Sequence, residues 1–225
     1  MTDYSRRRFL QLTAAAGSAL AFGDLIGQVL GLKGGPRVAT AGEPIKIGII
    51  DPLSSPYKTS SIHDVHGANV AIDLYNKRGG VLGRPVMILE ADDASNPETA
   101  VKAATKFIKE DRVDVLMGTF NGDCALAVSA LARQENTLFM VTGSYLPELT
   151  GVACNAQTFV FMPNARMMAQ AVAPHLAKAH GTRWHMITAA TLDGKAAAQA
   201  MLDAGKSQAV DFVGETVTPF GSTDF

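Results

Sequence analysis

The sequence has few cysteines and no excess of charge of either sign. Cys124 and Cys154 are the only cysteines among 225 residues, so at most one disulfide bond could form within the chain. Lysine and arginine total 20 against 21 aspartate and glutamate, a net charge of −1 that gives no reason to expect nucleic acid or a membrane surface as partner. The composition, 47% hydrophobic and 18% charged, is typical of a soluble globular protein with one good core or two small ones.

The signatures of nucleotide binding and serine hydrolysis are also absent. The apolar run at 113–118 leads into GTFNGD, which has no Gly-Lys pair for a phosphate loop. The first turn, IIDPLSSPY, lacks the spaced glycines of a dinucleotide-binding loop. No G-x-S-x-G nucleophile elbow occurs either. The sequence therefore gives no support to a nucleotide site or a serine nucleophile.

The two cysteines leave several interpretations open. Cys124 stands where a helix is predicted to begin, and a helix N-terminus lowers a thiol pKa. A cysteine nucleophile also needs a partnered histidine, and His175, His180 and His185 have no recognisable context for that role. A Cys124–Cys154 disulfide is an alternative in an oxidising compartment, and packing as two small apolar side chains is another.

Other polar pairs favour structural roles over chemistry. His63 and His66 are three residues apart on a predicted helix and could share a metal, but no third ligand is evident. Asp92 and Asp93 are neighbours in a predicted strand, so they point to opposite faces and do not form a dyad. A helix cap at Asp93 or Asn96 is favoured instead.

Residues 1–41 have the pattern of an export signal. Three arginines precede an apolar stretch rich in alanine and glycine, and ATA at 39–41 suits signal cleavage near Gly42. Asp24 interrupts the apolar stretch, which is too polar for a membrane span. The alternative is an amphipathic N-terminal helix.

The start of this segment, SRRRFLQ, closely resembles a twin-arginine (Tat) signal. The residues that carry the resemblance are Arg6, Arg7, Phe9 and Leu10. Such signals are addresses read by a translocase, so the resemblance implies Tat-dependent export to the periplasm. The mature part would then hold 15 basic and 19 acidic residues and be mildly acidic.

Apolar runs and helical spacings alternate along the mature part. The predicted strands are residues 45–50, 84–93, 113–118, 137–143, 157–163, 182–189 and 210–217. The predicted helices are residues 63–80, 98–111, 125–136, 165–181 and 195–205, with a kink expected at Pro174. In the first helix the apolar residues Val65, Ala68, Ile72 and Tyr75 fall at helical spacing, and in the second Ala100, Ala104, Phe107 and Ile108 line one face.

Repeated strand–helix units with continuous apolar strands predict an α/β fold with a parallel sheet covered on both faces. Ligands bind such sheets beyond the carboxyl ends of the strands, where the strand order reverses. The loops at that edge are residues 51–57, 118–123, 142–147 and 190–194.

These loops carry neutral hydrogen-bonding groups and apolar walls. Thr119, Asn121, Ser144 and Tyr145 offer the polar groups, while Phe120 and Tyr145 offer aromatic surface. Amide groups at a helix N-terminus attract carboxylates and polar oxygens. Together these residues suit a small polar or zwitterionic molecule.

Several stretches together resemble the type 1 periplasmic binding proteins. The resemblance lies closest to the Leu/Ile/Val and amide-binding branch of ABC importers. It is collinear across about residues 44–225 and is carried by IKIGIIDPLS, GANVAIDLYNKRGGVLGRPVMILEADDASNPETAV, MGTFNGDCALAVSALA, FMVTGSYLPELTG, WHMITAATLDGKA and TPFGSTDF.

The resemblance implies two Rossmann-like lobes that close on a ligand. By this comparison residues 1–41 are the signal, residues 42–163 the first lobe and residues 164–225 part of an incomplete second lobe. It implies ligand contacts at Ser54, Ser55, Tyr57, Phe120, Asn121, Gly122, Gly143, Ser144, Tyr145, Leu192 and Asp193, the last two from the second lobe; Thr119 joins these candidates on its hydroxyl group and its place in the loop. No cofactor, metal or catalytic residue is implied.

Departures from the family pattern affect the expected ligand. Gly122 stands where many amino-acid binders have serine, so only its backbone amide remains. Asp123 would repel a carboxylate if it faced the pocket, and could instead cap the helix. Tyr145 should narrow the site, and ATLDG replaces a segment that often carries an aromatic residue. An amide, a substituted amino acid or an aromatic acid is therefore as well supported as leucine.

The resulting functional expectation is a non-enzymatic, periplasmic solute-binding protein that delivers a small polar ligand to an ABC importer permease. Alternatives are a ligand-sensing subunit of the same fold, an enzyme for which no catalytic constellation is found, and a non-functional truncated remnant. Because the second lobe is expected to be incomplete, we expect the chain by itself to bind ligand weakly at best.

Overall fold

The computed structural model describes residues 42–222, which lie in one compact unit. Strands and helices alternate along them, as the sequence predicts. The strands are β1 (Ile45–Asp51), β2 (Val86–Asp92), β3 (Val115–Gly118), β4 (Leu138–Val141), β5 (Thr158–Val160), β6 (Arg183–Ala189) and β7 (Asp211–Thr218). The helices are α1 (Lys58–Lys77), α2 (Pro97–Lys106), α3 (Gly122–Gln134), α4 (Ala165–His180) and α5 (Leu192–Lys206).

The first five strands form a parallel sheet, which confirms the predicted α/β class. Its strand order is β2-β1-β3-β4-β5. The chain passes from β1 to β2 on one side and then returns to place β3 on the other side of β1. The strand order therefore reverses between β1 and β3, and loops after these two strands leave the sheet side by side. We call this sheet and its helices the first lobe.

Helix α2 shows how local sequence signals build the core of this lobe. The Asn96 side chain accepts a hydrogen bond from the Thr99 amide, which confirms Asn96 as the N-cap. The predicted face of this segment is buried, and its last turn, Phe107–Asp111, is a π-helix. The core that it joins contains Ile50, Val113, Leu116, Ala125, Val128, Phe139, Val141, Leu146 and Leu149.

Helix α1 differs most from its prediction. It begins at Lys58, five residues before the predicted start, and ends at Lys77. Only Ser61 and Val65 are buried on it, whereas Tyr75, at the end of the apolar spacing, is 57% exposed. An open apolar groove runs beside it, lined by residues of α1, β1, β2 and β3 that include Ile72 and Met117. The predicted α1 face is therefore only partly packed within the described residues.

The second lobe is a parallel pair, β6 and β7, with helices α4 and α5. The two helices pack through small side chains, which allow close approach. This core is small: Ala165, Ala169, Ala173, Ala200 and Ala204 are buried, with Tyr145, Trp184 and Met201 against them. Helix α4 runs through Pro174 as a single helix.

Helices α3 and α5 begin three residues before their predicted starts. In α5 the Thr191 side chain accepts a hydrogen bond from the Gly194 amide at 3.0 Å, so Thr191 is the N-cap. In α3 the N-cap position is Asn121. The earlier starts place Gly122 and Asp193 in first helical turns, where unpaired amide groups and the helix dipole favour negative charge.

Candidate functional site

The loops after β1, β3 and β4 meet at one edge of the first sheet. In the strand register, Ile50 pairs with Gly118 and Gly118 pairs with Val141, so the three strands end side by side. The predicted ligand residues of the first lobe all lie on these loops or at the start of α3. The topology therefore gathers the predicted first-lobe residues at the point where the strand order reverses.

An aromatic cluster covers one side of this edge. The rings of Tyr57 and Phe120 are stacked with their centroids 5.8 Å apart. The ring of Phe220, from the loop after β7, lies 4.8 Å from that of Tyr57. Gly143 leaves room for the Phe120 ring, because a Cβ atom there would lie 2.8 Å from it. We call Tyr57, Phe120 and Phe220 the aromatic cluster; it joins the two lobes.

The polar contact between the lobes is made by the carboxylate of Asp193. The Gly122 amide donates to one carboxylate oxygen at 2.6 Å, and the Ser144 hydroxyl donates to the other at 3.1 Å. The Leu146 amide in turn donates to the Ser144 hydroxyl oxygen at 3.3 Å, which helps to orient it. Asp193 is only 3% exposed. We call Gly122 and Ser144 the carboxylate cradle.

Burial and hydrogen bonding act in opposite directions on Asp193. Burial raises the pKa of its carboxyl, while the hydrogen bonds from Gly122 and Ser144 lower it, with the net shift upward. Burial, then the nearby Tyr145 and Asp193, raise the pKa of Tyr57 to about 12. The Tyr145 pKa is raised by burial and by Asp193. Both tyrosine hydroxyls therefore stay protonated at neutral pH.

The other predicted ligand residues have mixed surroundings. Thr119 is buried, and its hydroxyl contacts the Asn121 carbonyl at 3.4 Å. The Asn121 side chain makes no capping bond, and its oxygen has no hydrogen-bond partner within residues 42–222. Ser54 is exposed and hydrogen-bonds to Asp92, while the Ser55 hydroxyl accepts from the Tyr57 amide. These two serines thus support the first loop.

Asp123 and Leu192 lie on the outside of the two helix starts. Both are exposed. Asp123 is in the first turn of α3 but is not its N-cap, which is Asn121. Its charge still complements the dipole of the helix from that position.

Asp51 is a buried carboxyl that was not among the site residues predicted from the sequence. It ends β1, is 1% exposed, and neither oxygen has a hydrogen-bond partner within residues 42–222. Burial, followed by the charges of Asp64 and Asp93, raises its pKa to about 8. The signal available in the sequence was an acidic residue directly after the apolar run IKIGII.

Asp92 and Asp93 have separate roles beside Asp51. Burial alone would raise the Asp92 pKa, but hydrogen bonds from Ser54, Ala94 and Leu53 outweigh it and hold the pKa below its usual value. Asp93 is buried and accepts from the Ser95 amide at 2.7 Å. Burial raises its pKa to about 6. The pair therefore does not act as a dyad.

The two cysteines are not bridged. Cys124 is fully buried in the core of the first lobe, and Cys154 is exposed. Burial, then the charge of Asp93, raises the pKa of the Cys124 thiol to about 12. A thiol with that pKa is not a nucleophile at neutral pH. Of the interpretations left open by the sequence, the structure supports packing for Cys124.

Thiol labelling should separate the two cysteines. In the native chain we expect one thiol, Cys154, to react rapidly with a thiol reagent, and Cys124 to react only after unfolding. A Cys154→Ser control should show no fast phase, and a reductant should leave the melting temperature unchanged. Absence of any free thiol in the oxidised, unfolded chain would contradict this.

Residues 42–222 contain no group of three or more histidine, cysteine, aspartate or glutamate residues arranged to hold a metal ion. They also contain no helix that is long and apolar enough to cross a membrane.

Comparison with known proteins decides the family. A family model described as "Periplasmic binding protein" matches residues 44–225. The chain belongs to this family. As a periplasmic binding protein it shares its α/β architecture with solved members, and the expected resemblance to the type 1 group is confirmed.

Relatives of this periplasmic binding protein include the Leu/Ile/Val-binding protein BraC3 of Rhizobium johnstonii. The two are 34% identical over 106 residues, which is 47% of this chain and 29% of BraC3. A periplasmic binding protein from Burkholderia mallei has a TM-score of 0.71 and 25% identity, over 81% of this chain and 48% of that one.

A second solved structure shows the same fold at lower identity. It is a solute-binding protein of an ABC transporter from R. palustris in complex with benzoate. Its TM-score is 0.74 with 22% identity, over 81% of this chain and 50% of that one. The chain thus spans about half the length of these two solved structures. Its match to BraC3 covers less than a third of that protein.

Proposed function

We propose that this chain belongs to an extracytoplasmic solute-binding protein that captures a small polar ligand, amino-acid-like or amide-like, for an ABC importer. One observation carries the proposal most directly. At the contact between the lobes, Gly122 and Ser144 hydrogen-bond to the carboxylate of Asp193, and the aromatic cluster lies beside them. A few fixed polar groups next to aromatic surface are the usual elements of a small-molecule site.

The proposed mechanism is reversible capture without a covalent step. Residues of both lobes meet at this site, so movement of one lobe relative to the other would open and close it. Asp193 and Phe220 come from the second lobe, and Gly122, Ser144 and Tyr57 come from the first. A ligand that contacts both lobes would favour the closed arrangement, which an importer permease can distinguish from the open one.

Export completes the proposal. The segment of residues 1–41, with Arg6, Arg7, Phe9 and Leu10, lies outside the described residues. Its sequence supports transport by the Tat translocase and a periplasmic location. The relative BraC3 is by its name a Leu/Ile/Val-binding protein, which supports an amino-acid-like ligand.

A ligand panel tests the function. A full-length family member that contains residues 44–225 of this chain should show a higher melting temperature with at least one amino acid or amide. The chain by itself should show no affinity measurable by calorimetry, because closure on a ligand needs complete lobes. Micromolar binding by residues 42–225 would contradict the second expectation. A flat response of the full-length protein, with turnover of any compound, would contradict the binding function.

A further inference from the structure

The carboxylate cradle is occupied by the chain itself. The Gly122 amide and the Ser144 hydroxyl both donate to the carboxylate of Asp193. Gly122 lies 71 positions before Asp193 in the sequence, and Ser144 lies 49 positions before it. The amide lies at the N-terminus of α3, and Asp193 lies in the first turn of α5, so two helix dipoles favour the negative charge. Asp193 therefore sits where an external carboxylate would otherwise be held.

The sequence at position 122 fits this arrangement. A Cβ atom on Gly122 would lie 2.8 Å from a carboxylate oxygen of Asp193. Any larger residue would have to push Asp193 away from the amide. Gly122 and Asp193 are therefore sterically matched, and the match leaves no space for a second carboxylate on the same amide.

The groups left beside the occupied cradle are acceptors. Each carboxylate oxygen of Asp193 accepts one hydrogen bond from the cradle and retains further lone pairs. The side-chain oxygen of neighbouring Asn121 is buried and has no partner within the described chain. An incoming carboxylate would meet a like charge and unpaired acceptors, whereas an N–H group would meet complementary ones.

We propose that Asp193 is a specificity-determining residue: it fills the carboxylate cradle and restricts the site to ligands whose buried end is an N–H donor. The ligand class is an amide, urea or protonated amine without a carboxylate at that end. The ligand selectivity rests on the proposed function, because it assumes that this site binds a ligand. The occupancy of the cradle by Asp193 can be tested without any ligand.

The test removes the internal carboxylate and offers a free one. Asp193→Ala should open the cradle to acetate, detected as a shift of the Gly122 amide resonance in 15N-labelled chain and as a higher melting temperature. We expect acetate to bind Asp193→Ala at least tenfold more tightly than it binds the wild-type chain. Acetamide, the neutral analogue, should not replace acetate in the variant.

A control and a second measurement keep the result unambiguous. Asp203→Ala removes an exposed carboxylate from the same helix and should leave the acetate response at its wild-type level. If Asp193→Ala does not fold, the hydrogen-exchange rate of the Gly122 amide in the wild-type chain tests whether Asp193 occupies the cradle. A protected amide supports the proposal, and exchange as fast as at an exposed helix start overturns it. Equal acetate binding by wild type and Asp193→Ala also overturns it.

The ligand arm separates this inference from the function. In the full-length protein, leucinamide should stabilise more than leucine, and Asp193→Asn should reverse or abolish that preference. Stronger stabilisation by leucine in the wild type would overturn the selectivity and leave the binding function intact. A flat panel together with acetate binding by Asp193→Ala would overturn the function and leave the cradle occupancy intact.

Discussion

Replacing Asp51 with asparagine should stabilise the chain, and the gain should grow as the pH rises from 5 to 8. The reason is that the buried carboxyl has a pKa of about 8 in the folded chain, against an ordinary value of 3.8. Ionising it in place would leave a negative charge with no hydrogen-bond partner among the described residues and with Asp64 and Asp93 nearby. Asparagine never carries that charge.

The sign of the pH dependence follows from the two pKa values. Below pH 3.8 the carboxyl is protonated in both states, and its contribution to stability is fully present. Between about 4 and 8 the unfolded chain releases the proton and the folded chain keeps it, so unfolding becomes easier by about 1.4 kcal/mol per pH unit. Over three units the advantage of Asp51→Asn should grow by up to about 4 kcal/mol.

Urea unfolding at pH 5, 6.5 and 8 measures this difference. Asp93 also titrates near pH 6 and the Asp64 pKa is raised, so a smaller slope should remain in the variant. Asp92→Asn is the matched control of opposite sign, because its pKa is lowered by hydrogen bonds. That variant should be less stable than wild type at pH 8. A constant offset between Asp51→Asn and wild type across this range would contradict the buried-proton account.

Gly118→Ala should be among the most damaging single-methyl additions in the chain. Gly118 ends β3 with φ near +117°, a conformation that side chains rarely adopt. An added Cβ would lie 2.0 Å from the Ile50 carbonyl oxygen of the paired strand. Because backbone cannot move aside as a side chain can, β1 and β3 would have to separate at the edge that supports the ligand loops. We expect a loss of roughly 3–5 kcal/mol.

Gly67→Ala provides the control for Gly118→Ala. Gly67 lies within α1, and an added Cβ there has no neighbour within 4 Å. Alanine in a helix should add up to about 1 kcal/mol, so the two variants should shift the urea midpoint in opposite directions. Similar losses from both would show that the contact with Ile50 is not the cause.

Much of the fold could be predicted from periodicity alone. The apolar run before Gly118 and the alanine face of α2 report directly on burial, and both are in the core. Helix starts were less accurate, because Gly122 and Asp193 precede the first apolar repeat and resemble loop residues. The burial of α1 was predicted less well for a different reason. Its apolar spacing indicates a face that packs against other residues, but none of the described residues covers Tyr75.

The candidate site was predictable as a set of loops but not as a set of contacts. Parallel strands place their following loops at one edge, so Tyr57 and Phe120 could be grouped from topology. The Gly122–Asp193 hydrogen bond joins two lobes across 71 residues, and no local pattern encodes it. Asp51 was missed because a single acidic residue at a strand end is ordinarily read as the start of a loop.

The sparse packing of α1 has a consequence for how the chain opens. This helix of 20 residues buries two side chains, whereas α3 buries six side chains or glycines in 13 residues. Local opening costs least where few apolar contacts must break. Within residues 42–222, helix α1 should therefore detach and refold as a separate unit many times before the five-stranded sheet opens, and proteases should cut this part of the chain first at α1.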